Sequence, residues 1–111
     1  MAQPSRSQVI PLGEDLQTVA FVAKSLADEN RLRILLCVRH EKKSVSSIVE
    51  ELNLSQPLVS HHLRELRRAL LVKVERSGPF VYYEIADSRI LTILEALKEL
   101  ATDLLAARTT F

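Results

Sequence analysis

The sequence predicts a mainly α-helical chain with one small β-hairpin, and three observations carry that prediction. Apolar residues recur at helical spacing in five stretches. Two short segments, 72–76 and 81–85, alternate instead, on either side of Ser77-Gly78-Pro79-Phe80. Glycine occurs twice and tryptophan not at all in 111 residues that are 47% apolar, which argues against an all-β fold full of tight turns. A chain of this length buries roughly two-thirds of its extended surface, enough for a single core without a staple.

Residues 1–11 hold Pro4, Pro11 and several small polar side chains, and read as a mobile arm before one domain over 12–107. Leu12, Leu16, Val19, Ala20, Ala23 and Leu26 mark a first helix. Asp28 is placed as the N-cap of a second, from Glu29 to about Arg39. Its apolar set, Leu32, Ile34, Leu35, Leu36, Cys37 and Val38, covers most of the circumference and puts it at the centre of the core. After the charged break HEKKS (40–44), Ser47-Ile48-Val49-Glu50 fits a capping box that opens a short helix ending near Leu52. Asn53 occupies the left-handed C-cap position, because asparagine tolerates positive φ. Ser55 is the next N-cap, and Pro57 falls in the first turn, where a missing amide proton costs little.

The helix from Gln56 to about Leu70 divides into two faces. Val59, Leu63, Leu66 and Leu70 form a buried stripe, and Pro57, His61, Arg64 and Arg68 share the opposite side. His62 lies one residue off that exposed stripe and reads as a partly buried histidine supporting the helix. In the hairpin Val81, Tyr83 and Ile85 are expected toward the core and Tyr82 outward. Asp87 or Ser88 caps a last helix to about Ala107. It carries two apolar stripes: Ile90, Leu94, Leu97, Ala101 and Leu104, and Ile93, Leu97, Leu100 and Leu104.

Composition excludes several functions. Cys37 is the only cysteine, so no intrachain disulfide framework exists, and a reducing compartment, the cytoplasm, is expected. No uncharged apolar run approaches the ~18 residues of a membrane span, and the first residues lack the apolar block of a signal peptide. No Ser/His/Asp or Cys/His nucleophile arrangement is visible, so no enzyme is expected. The net charge of +1 hides an asymmetry: residues 55–76 hold Arg64, Arg67, Arg68, Lys73 and Arg76 against Glu65 and Glu75. One basic segment on a neutral body points weakly to an anionic partner.

Two helices joined by a short turn, the second with a polar outer face, describe a helix-turn-helix, and a hairpin immediately after it is a wing. ADENRLRIL (27–35), LNLSQPLVSHHLRELRRALLV (52–72) and VYYEIAD (81–87) resemble the ArsR/SmtB family of bacterial and archaeal repressors, over residues 16 to 105. The resemblance implies a winged helix-turn-helix in the order α-α-α-α-β-β-α. It also implies a two-fold homodimer, formed through the first and last helices, that binds double-stranded operator DNA.

Groove chemistry gives the residue types their reason. Gln56 can pair bidentately with adenine, Arg64 with guanine, and Ser60 or His61 with several base edges. Ser55, beside Pro57 at the helix N-terminus, suits a phosphate, and Arg68, Lys73 and Arg76 are expected at the flanks on the backbone. The tip SGPF has only Arg76 beside it, where a basic wing tip is usual in the family, so strong minor-groove insertion is not expected. The last helix has more apolar surface than one small core covers, which points to a dimer seam. It would use Leu16, Val19, Ala20 and Ala23 of the first helix with Ile90, Leu94, Leu97, Ala101 and Leu104 of the last. A second reading is a protein-interaction module on the same scaffold with weak DNA binding.

Many members of the family sense metals. Their Cys-x-Cys motif at the start of the short helix is matched here by Ser44 and Ser46, which are not soft-metal ligands. Their last-helix motif opens Asp-x-His; here Asp87 matches, Arg89 replaces the histidine and Leu100 falls near a later ligand. Asp103 offers at most one oxygen more. No metal or other cofactor is expected. Asp87 reads as a helix cap and Cys37 as a small core residue.

Overall fold

The structure, a computed structural model, describes residues 13–108. The expected arm and Leu12 lie outside the described residues. The chain runs α1 (Leu16–Leu26), α2 (Glu29–Cys37), α3 (Val45–Leu52), α4 (Gln56–Arg68), β1 (Val72–Ser77), β2 (Phe80–Ile85) and α5 (Arg89–Arg108), the predicted order. Ile34, Leu35 and Val38 from α2 and its C-cap, Ile48 from α3, and Val59, Leu63 and Leu66 from α4 meet in one core with almost no exposure. Burying each such side chain contributes roughly 1.5–3 kcal/mol. Helix α2 is central as expected, with one exception. Leu36 is 43% exposed, so the apolar circumference of α2 is not closed within the chain.

The expected caps are present at Asp28, whose Oδ1 accepts from the Asn30 and Arg31 amides, and at Ser55, which accepts from the Leu58 amide. Asn53 adopts φ 55 and ψ 46 and ends α3. The capping box at Ser47 is corrected: α3 starts one turn earlier, and Ser44 caps it by accepting from the Ser47 amide at 3.2 Å. The cause lies in the preceding residue. Lys43 exchanges two backbone bonds with Tyr83, at 3.0 and 2.8 Å, which holds the chain extended up to Ser44. That bridge adds a one-residue rung to the free edge of β2.

Leu70 is a second correction. It was expected on the buried stripe of a helix reaching 70, but α4 ends at Arg68 and Leu70 is 79% exposed. Leu70 takes φ 61; its amide donates to the Arg67 carbonyl at 3.0 Å, and the Leu71 amide donates to the Leu66 carbonyl at 2.9 Å. This is a Schellman ending, in which one left-handed residue reverses the chain and the next one packs back on the helix. Leu71, 5% exposed, therefore takes the core position.

Strands β1 and β2 pair antiparallel, with Val72 opposite Ile85, Val74 opposite Tyr83 and Ser77 opposite Phe80, each strand slightly longer than predicted. Val72 is buried, and Tyr83 and Ile85 pack against the core. Val81 was expected there too, but it pairs with Arg76 near the tip, beyond the helices, and only half loses solvent. Tyr82 lies on the other face as expected, with the Lys42 ammonium 5.2 Å above its ring and the Phe80 ring 6.3 Å away.

Candidate nucleic-acid interface

Helices α3 and α4 are joined by Asn53, Leu54 and Ser55, a turn of the length a helix-turn-helix uses. A tie that sequence reasoning missed fixes the start of that turn: Arg33 of α2 donates to the Leu52 carbonyl at 3.0 Å, a free acceptor at the end of α3. Beyond the turn, α4 presents Ser55, Gln56, Pro57, His61, Arg64 and Arg68 to solvent, with Ser60 half-buried, while Val59, His62, Leu63 and Leu66 turn inward. The first turn of α4 thus places exposed polar side chains around backbone amides that carry the positive end of the helix dipole.

The cations differ in how far they are available. Among the described residues neither Arg64 nor Arg67 has an ion-pair partner, whereas Arg68 donates to Glu65 at 3.2 Å, an exposed pair of little strength. Arg67, outside the set expected to contact DNA, stands one helical turn from Arg64 on α4 and is likewise exposed. Lys73 and Arg76 are both exposed on β1, opposite Glu84 and Val81. Strand alternation puts them on opposite faces, so they are not brought to one flank.

Buried beneath the exposed face is His62, 5% exposed. Its Nδ1 accepts from Arg31 Nε at 3.1 Å, and its Nε2 lies 3.7 Å from Asp28 Oδ1. Burial, opposed by the Asp28 charge, holds His62 below the ordinary histidine value. For Asp28, burial pushes the carboxyl up, but the Arg31 amide, the His62 ring and the Asn30 amide outweigh it and leave it below the ordinary aspartate value.

Two of the positions weighed above as metal ligands make bonds within the chain. Ser44 is the α3 cap, and both Asp87 oxygens lie against the Arg89 guanidinium at 2.6 to 3.1 Å. Asp87 also accepts from the Arg89 amide at 2.9 Å, so it caps α5 as expected. Cys37 is buried, with Lys43 Nζ 3.8 Å from its sulfur; burial, with Glu51 nearby, pushes the thiol up.

The terminal helices expose an apolar face. Leu16 and Val19 of α1 are each 58% exposed, and Leu97, Leu100 and Leu104 of α5 are 50 to 60% exposed. Ala20, Ala23 and Ala101 are exposed beside them. Phe21 and Leu105, which the sequence reading did not single out, are also exposed. Val19, Val22, Ala23, Leu26, Ile93 and Leu97 line a shallow groove between the two helices. One residue expected in the seam belongs elsewhere: Ile90, 7% exposed, sits in the chain's own core, and Leu94 is half-buried against that core and half open. Among the described residues no helix is long and apolar enough to cross a membrane.

The family described as "bacterial regulatory protein, arsR family" matches residues 28–74, which run from the α2 cap through the turn and α4 into β1. The chain is 35% identical over 88 residues to the HTH-type transcriptional regulator MJ1325 of Methanocaldococcus jannaschii, covering 78% of this chain and 99% of that one. It is 34% identical over 86 residues to the transcriptional repressor SmtB homolog of Synechocystis, covering 78% of this chain but 64% of that longer protein. The homodimeric winged helix-turn-helix DNA-binding domain of Mb0332 from Mycobacterium bovis superposes with a TM-score of 0.74 at 28% identity, covering 95% of this chain and 94% of that one. The turn, the polar-faced helix and the hairpin are thus those of a winged helix-turn-helix, and the chain belongs to the ArsR/SmtB family of transcriptional regulators.

Proposed function

We propose that this regulator represses transcription by binding an inverted-repeat operator as a homodimer, with residues 12–107 as the working domain and the cytoplasm as its compartment. The observation that carries the reading is the division of α4. Gln56, Pro57, His61 and Arg64 stand exposed behind a Ser55-capped N-terminus, directly over a buried Val59-Leu63-Leu66 stripe. In this reading Gln56, Ser60, His61 and Arg64 contact base edges and Ser55 and Pro57 approach a phosphate. Arg68 holds the backbone, and Lys73 and Arg76 reach it from opposite faces of the wing. The apolar α1–α5 face supplies the two-fold seam, through Leu16, Val19, Ala20, Ala23, Leu97, Ala101 and Leu104. Two α4 helices then sit about one DNA turn apart.

Arg64→Ala tests it. The expected loss is about 1–3 kcal/mol on the cognate operator, with relaxed specificity at one position, measured by fluorescence anisotropy. Equal losses on cognate and random duplexes would remove the base-reading role. The exposed apolar face also favours a second reading, a protein-interaction module with weak DNA binding; retention on heparin together with a promoter-DNA shift decides against it.

A further inference from the structure

Helix α4 buries one titratable side chain that neither faces solvent nor belongs to the apolar core. His62 directly follows His61 and lies two residues before Arg64. Its Nδ1 accepts from Arg31 Nε at 3.1 Å, and Arg31 also donates from its terminal nitrogen to the Ser25 carbonyl at 3.4 Å. Ser25 is in the last turn of α1 and Arg31 in the first of α2, so three helices meet at one guanidinium. Asp28 closes the group, accepting the Arg31 amide at 3.1 Å while its carboxylate lies near the other ring nitrogen.

The contact has a direction that an apolar one would lack. Arg31 Nε is an obligatory donor, so His62 Nδ1 must be the unprotonated nitrogen, and an imidazolium would turn a donor toward a donor. The charged groups acting on the ring are Asp28, the cap of α2, Arg31 of α2, and His61 and Glu65 of α4 itself; α1 reaches it through the Ser25 carbonyl that Arg31 holds.

We propose that Arg31 and His62 are positioning residues for DNA reading. Their bond sets α4 against the α1–α2 pair, and so sets Gln56, His61 and Arg64 relative to the dimer seam; protonation of His62 breaks it. The inference rests on the reading of α4 as the base-contacting helix.

The test compares the full-length protein with His62→Asn, His62→Leu and Arg31→Met. Operator affinity is measured from pH 7.5 to 5.5, with sedimentation for the dimer and ¹⁵N imidazole spectra for the tautomer. Asn places an oxygen near the Nδ1 position and does not titrate. His61 is present in all four proteins, so differences between their profiles isolate His62. Wild-type protein at pH 7.5 should show the Nε2–H tautomer at His62, and Arg31→Met should lose that preference. His62→Leu and Arg31→Met should bind operator about tenfold more weakly as intact dimers, the size of one lost base contact. His62→Asn should recover part of that loss and lack the wild-type fall in affinity as the pH drops toward 5.5. A folded His62→Leu dimer with wild-type affinity overturns the inference, as does an Asn variant that follows the wild-type pH profile. If His62→Leu does not fold, the Asn and Met profiles decide. A wild-type protein that binds no DNA at any pH overturns the reading of α4 and this inference with it. DNA binding unaffected by the substitutions overturns the inference alone.

Discussion

Leu70 holds φ 61 with 79% of its surface in solvent. An L side chain in that region costs roughly 1–2 kcal/mol, and no burial offsets it here. Leu70→Gly is expected to raise stability by about 1 kcal/mol, less the extra entropy glycine loses on folding, read from denaturant midpoints. A lower midpoint would show the leucine side chain to be engaged. His62 makes stability depend on pH. Burial, the largest influence, holds its folded value below the unfolded value near 6.5. The unfolded chain therefore takes up that proton first. The contribution is complete above about pH 6.5 and is lost as pH falls through the lowered folded value. His62→Asn should flatten the difference between urea midpoints at pH 7.5 and 5.5; a variant that loses as much stability as wild type over that range assigns the effect to another group. The histidine was legible in the sequence as half-buried support. Its partner was not, because Arg31 lies 31 residues earlier and nothing in local periodicity pairs the two.

At the scale of elements, capping shows what short-range patterns resolve. Asp28, Asn53 and Ser55 stand where residue type and spacing put them, since a cap depends on a backbone amide or carbonyl within one turn. Residues 44 to 47 offered three serines, and Glu50 three places after Ser47 favoured the wrong one. The Lys43–Tyr83 rung chose Ser44, and that rung joins residues forty apart. Ser44→Ala should cost about 1 kcal/mol and Ser47→Ala clearly less, by chemical denaturation; the reverse order would restore the capping box. The same limit applies to Arg33, whose bond to the Leu52 carbonyl fixes α3 across 19 residues of sequence. The polar face of α4 was legible because its Arg64 and His61 repeat with the helix itself.

On the whole molecule, α5 packs one edge on the core through Ile90 and Leu94 and leaves Ile93, Leu97, Leu100, Leu104 and Leu105 at least half exposed. Leu97→Glu is expected to leave the protomer folded by circular dichroism, since Leu97 is 50% exposed within it, and to abolish the sedimenting dimer. Operator binding should fall with the dimer, and a dimer that persists would move the seam off α5. Sequence periodicity alone determined the element order, the two faces of α4 and the excess of apolar surface on α5, because each is a property of residues within a few turns of one another. Tertiary structure alone decided which leucine ends α4 inside the core, that Ile90 is used up within the protomer, and that Arg31, Ser25 and His62 meet. Each of those outcomes depends on which distant segment the folded chain brings into contact.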